Sequence, residues 1–103
     1  MILEIADLRP GVANMSEFEA AMAELVPVLS STPGYLGHTV QRSIDTPGRY
    51  VLLVRWENLE AHTVEFRQSD RFQQWLDRLG SMREGAFVEH FEPVLSNEWV
   101  PEV

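Results

Sequence analysis

The residues best suited to chemistry fall close together in the second half of the chain. Trp56 closes a run of strand composition, and the helical stretch after it places Leu59, His62 and Phe66 at spacings of three and four, on one face. A further helical stretch does the same with Phe72, Trp75, Leu76 and Leu79. If both faces turn toward a sheet, His62 becomes a titratable group among aromatic walls, a setting that suits a flat apolar ligand. A core histidine bonded to backbone, and aromatics present for their area alone, would account for the same residues without chemistry. His38 and His90 lie on strands whose facing the sequence leaves open, and surface or core roles suffice for both. None of the three histidines stands at a short ligand spacing from another and no carboxylate completes a ligand pattern, so no metal site is expected. Glu4, Glu17, Glu19, Glu24, Glu57, Glu60 and Glu65 read as residues of solvated faces.

The elements that must position these groups alternate along the chain. Met1 to Leu8 has strand composition and ends at Arg9-Pro10-Gly11. Asn14 with Glu17 three residues later resembles a capping box, and Phe18, Met22, Leu25 and Leu29 follow on one helical face. Pro27 inside that pattern predicts a kink or an early end. Tyr35 to Ile44 and Arg49 to Trp56 read as a hairpin around Asp45-Thr46-Pro47-Gly48. Asn58 can cap a helix through about Gln68, Ser69 another through about Leu79, with Gly80 as its stop, and Phe87 to Val94 reads as the last strand. The order β-α-β-β-α-α-β implies an α+β, ferredoxin-like antiparallel sheet with its helices on one side, a single domain over 1–103 with an irregular tail from about 96. In that tail Trp99 and Val100 are apolar enough to dock. The strand ending at Trp56 is apolar on both faces, with Tyr50, Leu52, Val54 and Trp56 on one and Val51 and Leu53 on the other. Helices cover one face, so the other is expected to meet a second copy in a barrel-like homodimer.

Composition narrows the partners. With 103 residues and 45% hydrophobic content, the chain is long and apolar enough for one packed core. It has no cysteine, which removes disulfides, thiolate metal sites and cysteine nucleophiles and fits a reducing, cytoplasmic setting. A net charge of -8, with basic residues scattered singly, disfavours nucleic acid and anionic membrane. Neither a signal peptide nor a membrane span is read, and phosphate-loop, dinucleotide and hydrolase signatures are absent.

The segment Tyr50-Val51-Leu52-Leu53-Val54-Arg55-Trp56-Glu57-Asn58-Leu59-Glu60-Ala61-His62, then Phe66, Ser69, Phe72 and Trp75, then Val88-Glu89-His90-Phe91, resembles the antibiotic biosynthesis monooxygenase family. Pro33-Gly34-Tyr35 before the second strand also fits, and the likeness spans nearly the whole length. The resemblance implies a dimeric α+β barrel and, by its best understood members, an oxygenase needing no flavin, metal or other cofactor. In such an enzyme a deprotonated electron-rich aromatic, polyketide or quinol-like, reduces O2 directly, and the protein binds, desolvates and deprotonates it. It further implies His62 as general base, where the polyketide oxygenases carry a Tyr, with Trp56, Leu52, Phe66, Phe72 and Trp75 around the substrate. Leu52 stands where those oxygenases have a substrate-orienting Asn. The haem-degrading branch has an axial His in the turn that here reads Gln74-Trp75-Leu76-Asp77. A non-catalytic homodimeric module that binds a small aromatic metabolite is the alternative.

Overall fold

A computed structural model describes residues 1–97. Four strands, β1 (Ile2–Leu8), β2 (Tyr35–Arg42), β3 (Tyr50–Trp56) and β4 (Phe87–Phe91), form one antiparallel sheet in the order β2-β3-β1-β4. Helix α1 (Met15–Ser30), a π-helical turn (Ala61–Phe66) and α2 (Asp70–Leu79) supply the helical layer. The expected α+β, ferredoxin-like class is the observed one.

Alternation along each strand decides what reaches the helices. On β3 the side chains of Tyr50, Leu52, Val54 and Trp56 are buried almost completely, whereas Val51, Leu53 and Arg55 between them are only half covered. The register carries this parity across the sheet. Ile2, Glu4, Ala6 and Leu8 of β1, His38 and Val40 of β2, and Val88 and His90 of β4 share the helical side. Against it α1 buries Phe18, Ala21, Met22, Leu25 and Leu29, and α2 buries Trp75 and Leu79.

Several boundaries differ from expectation for physical reasons. The Asn14 side chain donates to the Pro10 carbonyl at 2.9 Å instead of capping α1, because a 3-10 turn (Val12–Asn14) leads into the helix. Helix α1 runs through Pro27 to Ser30: so near the end only one backbone donor is missing, and the Pro27 carbonyl still accepts from the Ser31 amide at 3.2 Å. Asn58 does cap, its Oδ1 accepting from the Ala61 amide at 2.9 Å. The helix it opens is a π turn rather than an α-helix, closed by the Arg67 amide donating to the His62 carbonyl five residues back, at 3.0 Å. Gly80 ends α2 with a positive φ of 52°, as expected of a stop. Strand β4 stops at Phe91, two residues before Pro93, rather than at Val94. The expected docking of Trp99 and Val100 lies outside the described residues.

Candidate functional site

Between the sheet and the second helical segment lies a cavity of about 230 Å³ whose walls include Glu4, Leu52, His62, Phe66, Phe72 and Trp75. Two surface clefts are larger, about 780 and 600 Å³, but neither holds a histidine, and both are open troughs along α1. The smaller cavity is where the titratable and aromatic groups converge.

Each side chain is delivered by its element. Trp56 ends β3 and is wholly buried, and its Nε1 donates to Glu4 Oε1 at 2.9 Å. The π turn projects His62 over the Trp56 ring, with centroids 5.3 Å apart and planes 20° from parallel, and sets Phe66 beside both, 5.9 Å from His62 and 6.2 Å from Trp56. Phe72 and Trp75 of α2 meet Phe66 edge-on at 5.6 and 5.7 Å. Of the expected substrate-binding residues, the structure brings Leu52, Phe66, Phe72 and Trp75 to the cavity wall together with His62. Trp56 is not among the cavity-lining residues; it stacks on His62 and donates its indole N–H to the Glu4 carboxyl, both of which are.

The largest correction concerns Glu4. Expected on a solvated face, it is only 4% exposed, because it sits in phase with Ile2, Ala6 and Leu8 on the helical side of β1. Burial pushes its carboxyl up from the ordinary 4.5 to about 7, against the opposing pull of the Trp56 hydrogen bond and the Arg67 charge. His62 Nε2 lies 3.5 Å from Glu4 Oε1, and His62 Nδ1 lies 2.7 Å from His90 Nε2. Burial first, then the neighbouring Arg67 and His90 charges, depress His62 from 6.5 to about 3. His90 is depressed as well, by burial and by Arg67. Both imidazoles are therefore neutral at neutral pH, one donating and one accepting across their 2.7 Å bond.

Glu4, His62 and His90 thus lie side by side, with a hydrogen bond between the two imidazoles and 3.5 Å between His62 Nε2 and Glu4 Oε1. No group of three or more potential metal ligands among the described residues is arranged to hold a metal ion. His38 is separate, bonded to the Tyr35 hydroxyl. Sequence reasoning missed Glu4, His90, Arg67 and Arg83. A signal existed for the first: a lone acid interrupting the apolar phase Ile2, Ala6, Leu8. His90 shares the phase of Val88, but nothing in the sequence pairs β4 with β1.

Residues 1–78 match the family model described as antibiotic biosynthesis monooxygenase. The chain belongs to that family. Among curated relatives, the uncharacterized protein YczJ of Bacillus subtilis is 36% identical over 95 residues, covering 91% of this chain and 100% of the relative. A Bordetella bronchiseptica structure classed among the antibiotic biosynthesis monooxygenases is 37% identical with a TM-score of 0.85, covering 91% of this chain and 97% of that one. A haem degrader from Mycobacterium tuberculosis, solved with two haems in its active site, is similar in fold, with a TM-score of 0.76 at 22% identity over 94% of this chain and 99% of that one. No helix among the described residues is long and apolar enough to cross a membrane.

Proposed function

We propose that this protein is a monooxygenase that oxidises a small electron-rich aromatic with O2 and without a cofactor, the proton being taken by the Glu4–His62 pair. The observation that carries the proposal is a buried carboxyl, its pKa pushed up by burial to about 7, lying 3.5 Å from a neutral imidazole on the wall of an aromatic cavity. A base for neutral-pH catalysis works best with a pKa near the operating pH, and Glu4 meets that condition. His62 alone would hold a proton weakly; beside Glu4 it can receive one and share it with a stronger acceptor.

The remaining chemistry belongs to the substrate. A quinol anion in a dry pocket passes one electron to O2, the two radicals join at a ring carbon, and the O–O bond of the resulting peroxide breaks. One oxygen stays on the ring and the other leaves as water, so a quinol and O2 give a hydroxyquinone and water. The protein contributes desolvation, alignment and proton removal. An apolar cavity of about 150 Å³ takes one benzene ring, so 230 Å³ has room for one substituted ring, which favours the quinol-like class. The Gln74-Trp75-Leu76-Asp77 turn offers no imidazole for haem.

The test is oxygen consumption by metal-free protein given single-ring quinols, with isotopically labelled O2 and background autoxidation subtracted. Wild type should place one labelled atom in the product. His62→Ala should lose turnover by on the order of a hundredfold or more with binding nearly intact. Unchanged turnover in His62→Ala would remove the imidazole from the mechanism, and binding without turnover in wild type would leave a binding module.

A further inference from the structure

All eight basic residues of the chain are arginines. Six of them have side-chain partners: Arg9 and Arg49 on Asp7, Arg42 on Glu19, Arg78 on Glu17 and Glu24, Arg55 on the Met1 sulfur and Arg71 on Ser31. Arg67 and Arg83 have no side-chain partner among the described residues, and both line the cavity that holds Glu4 and His62. In a chain of net charge -8, where acids outnumber bases two to one, two guanidinium groups without a side-chain partner among the described residues meet at one cavity.

The local elements place them. Arg67 follows directly on the π turn and donates its backbone amide to the His62 carbonyl, so the turn that presents the imidazole also sets the guanidinium. Arg83 ends the 3-10 turn Gly80–Arg83 between α2 and β4. The only carboxyl in the cavity wall among the described residues, Glu4, is engaged by Trp56 and buried, and it approaches neither arginine within ion-pair distance. A guanidinium fork with no side-chain acceptor among the described residues matches a carboxylate better than any neutral group.

We infer that the cavity selects an anionic substrate, a single-ring hydroxy-aromatic acid whose carboxylate is held by Arg67 and Arg83 while its hydroxyl meets Glu4 and His62. The inference rests on the cavity being the substrate site, and it names the class of substrate. The net negative charge of the whole chain opposes an incoming anion only at long range, where salt screens it beyond about 10 Å at 0.1 M. The contacts within the cavity are not screened in that way.

The experiment compares gentisate, a dihydroxybenzoate, with gentisamide, the same ring with the charge removed, by calorimetric titration of the full chain. Wild type should bind gentisate on the order of tenfold or more tightly than gentisamide. The preference should vanish in the Arg67→Met, Arg83→Met double variant, with gentisamide affinity retained. Arg67→Lys with Arg83→Lys should keep part of the preference, which separates charge recognition from damage to the cavity. Equal binding of acid and amide by wild type would overturn the anionic selection and leave the aromatic site standing. Binding of neither would overturn both.

Discussion

A carboxyl group kept out of water at 4% exposure burdens the fold, and Glu4 is kept there with a single side-chain hydrogen bond, from Trp56. Its folded pKa of about 7 lies above the ordinary 4.5, so between those values the folded chain holds the proton more tightly than the unfolded one. Stability from this residue is therefore lost as pH rises through that window, by on the order of 3 kcal/mol. His62 acts in the opposite sense. Its folded value of about 3 lies below 6.5, so its contribution is complete above 6.5 and is lost as pH falls toward 3. Glu4→Gln removes the first effect alone. Urea denaturation should show the variant gaining on wild type by on the order of 2–3 kcal/mol between about pH 5 and pH 8. A difference that stays constant with pH would mean that the carboxyl is not carrying the burial cost. Retaining so unfavourable a group against an aromatic cavity is the pattern of a functional residue.

At the scale of elements, sequence periodicity reached most of the fold and only half of the site. Strand alternation and helical spacing put Leu52, His62, Phe66, Phe72 and Trp75 on faces that do converge, because those signals record burial, and burial is what builds the cavity wall. What periodicity could not carry is a polar residue in an apolar phase. Glu4 looked solvated by its type, and only the β1–β3 register, which pairs it with Val54 two residues from Trp56, shows why it is buried. His90 needed the β1–β4 register, which pairs it with Glu4 across 86 positions of chain. The π turn was equally hidden. Its position depends on Gly34, whose φ of +87° few side chains adopt and whose absent Cβ would stand 2.5 Å from the Ala61 Cβ. The Gly34 carbonyl also accepts from the Glu57 amide at 2.8 Å, so the turn before β2 seats the turn that carries His62.

For the molecule as a whole, the sheet face away from the helices remains open in one chain. Leu3, Ile5, Val51 and Leu53 are half-buried there, and Phe87 and Phe91 are 62% and 42% exposed. An apolar sheet face of this kind is stably covered by its own copy, which is the homodimer we propose. Light scattering should return about twice 11.8 kDa at micromolar concentration, and Leu53→Arg at the centre of that face should return the monomer mass with the fold retained. A wild-type monomer would show the face to be covered in another way. The cavity lies on the helical side, so in such a dimer assembly and chemistry would use opposite faces of one sheet. The central claim is that a buried carboxyl and its imidazole take the proton that lets an aromatic substrate react with O2. Its most direct test is the rate of oxygen consumption on a single-ring quinol as a function of pH, for wild type beside Glu4→Gln. Only the ionised carboxyl can accept, so the wild-type rate should rise through about pH 7 and level off above it, while Glu4→Gln is slower by roughly 10²–10⁴-fold and lacks that rise. A Glu4→Gln enzyme with the wild-type rate and profile would contradict the account.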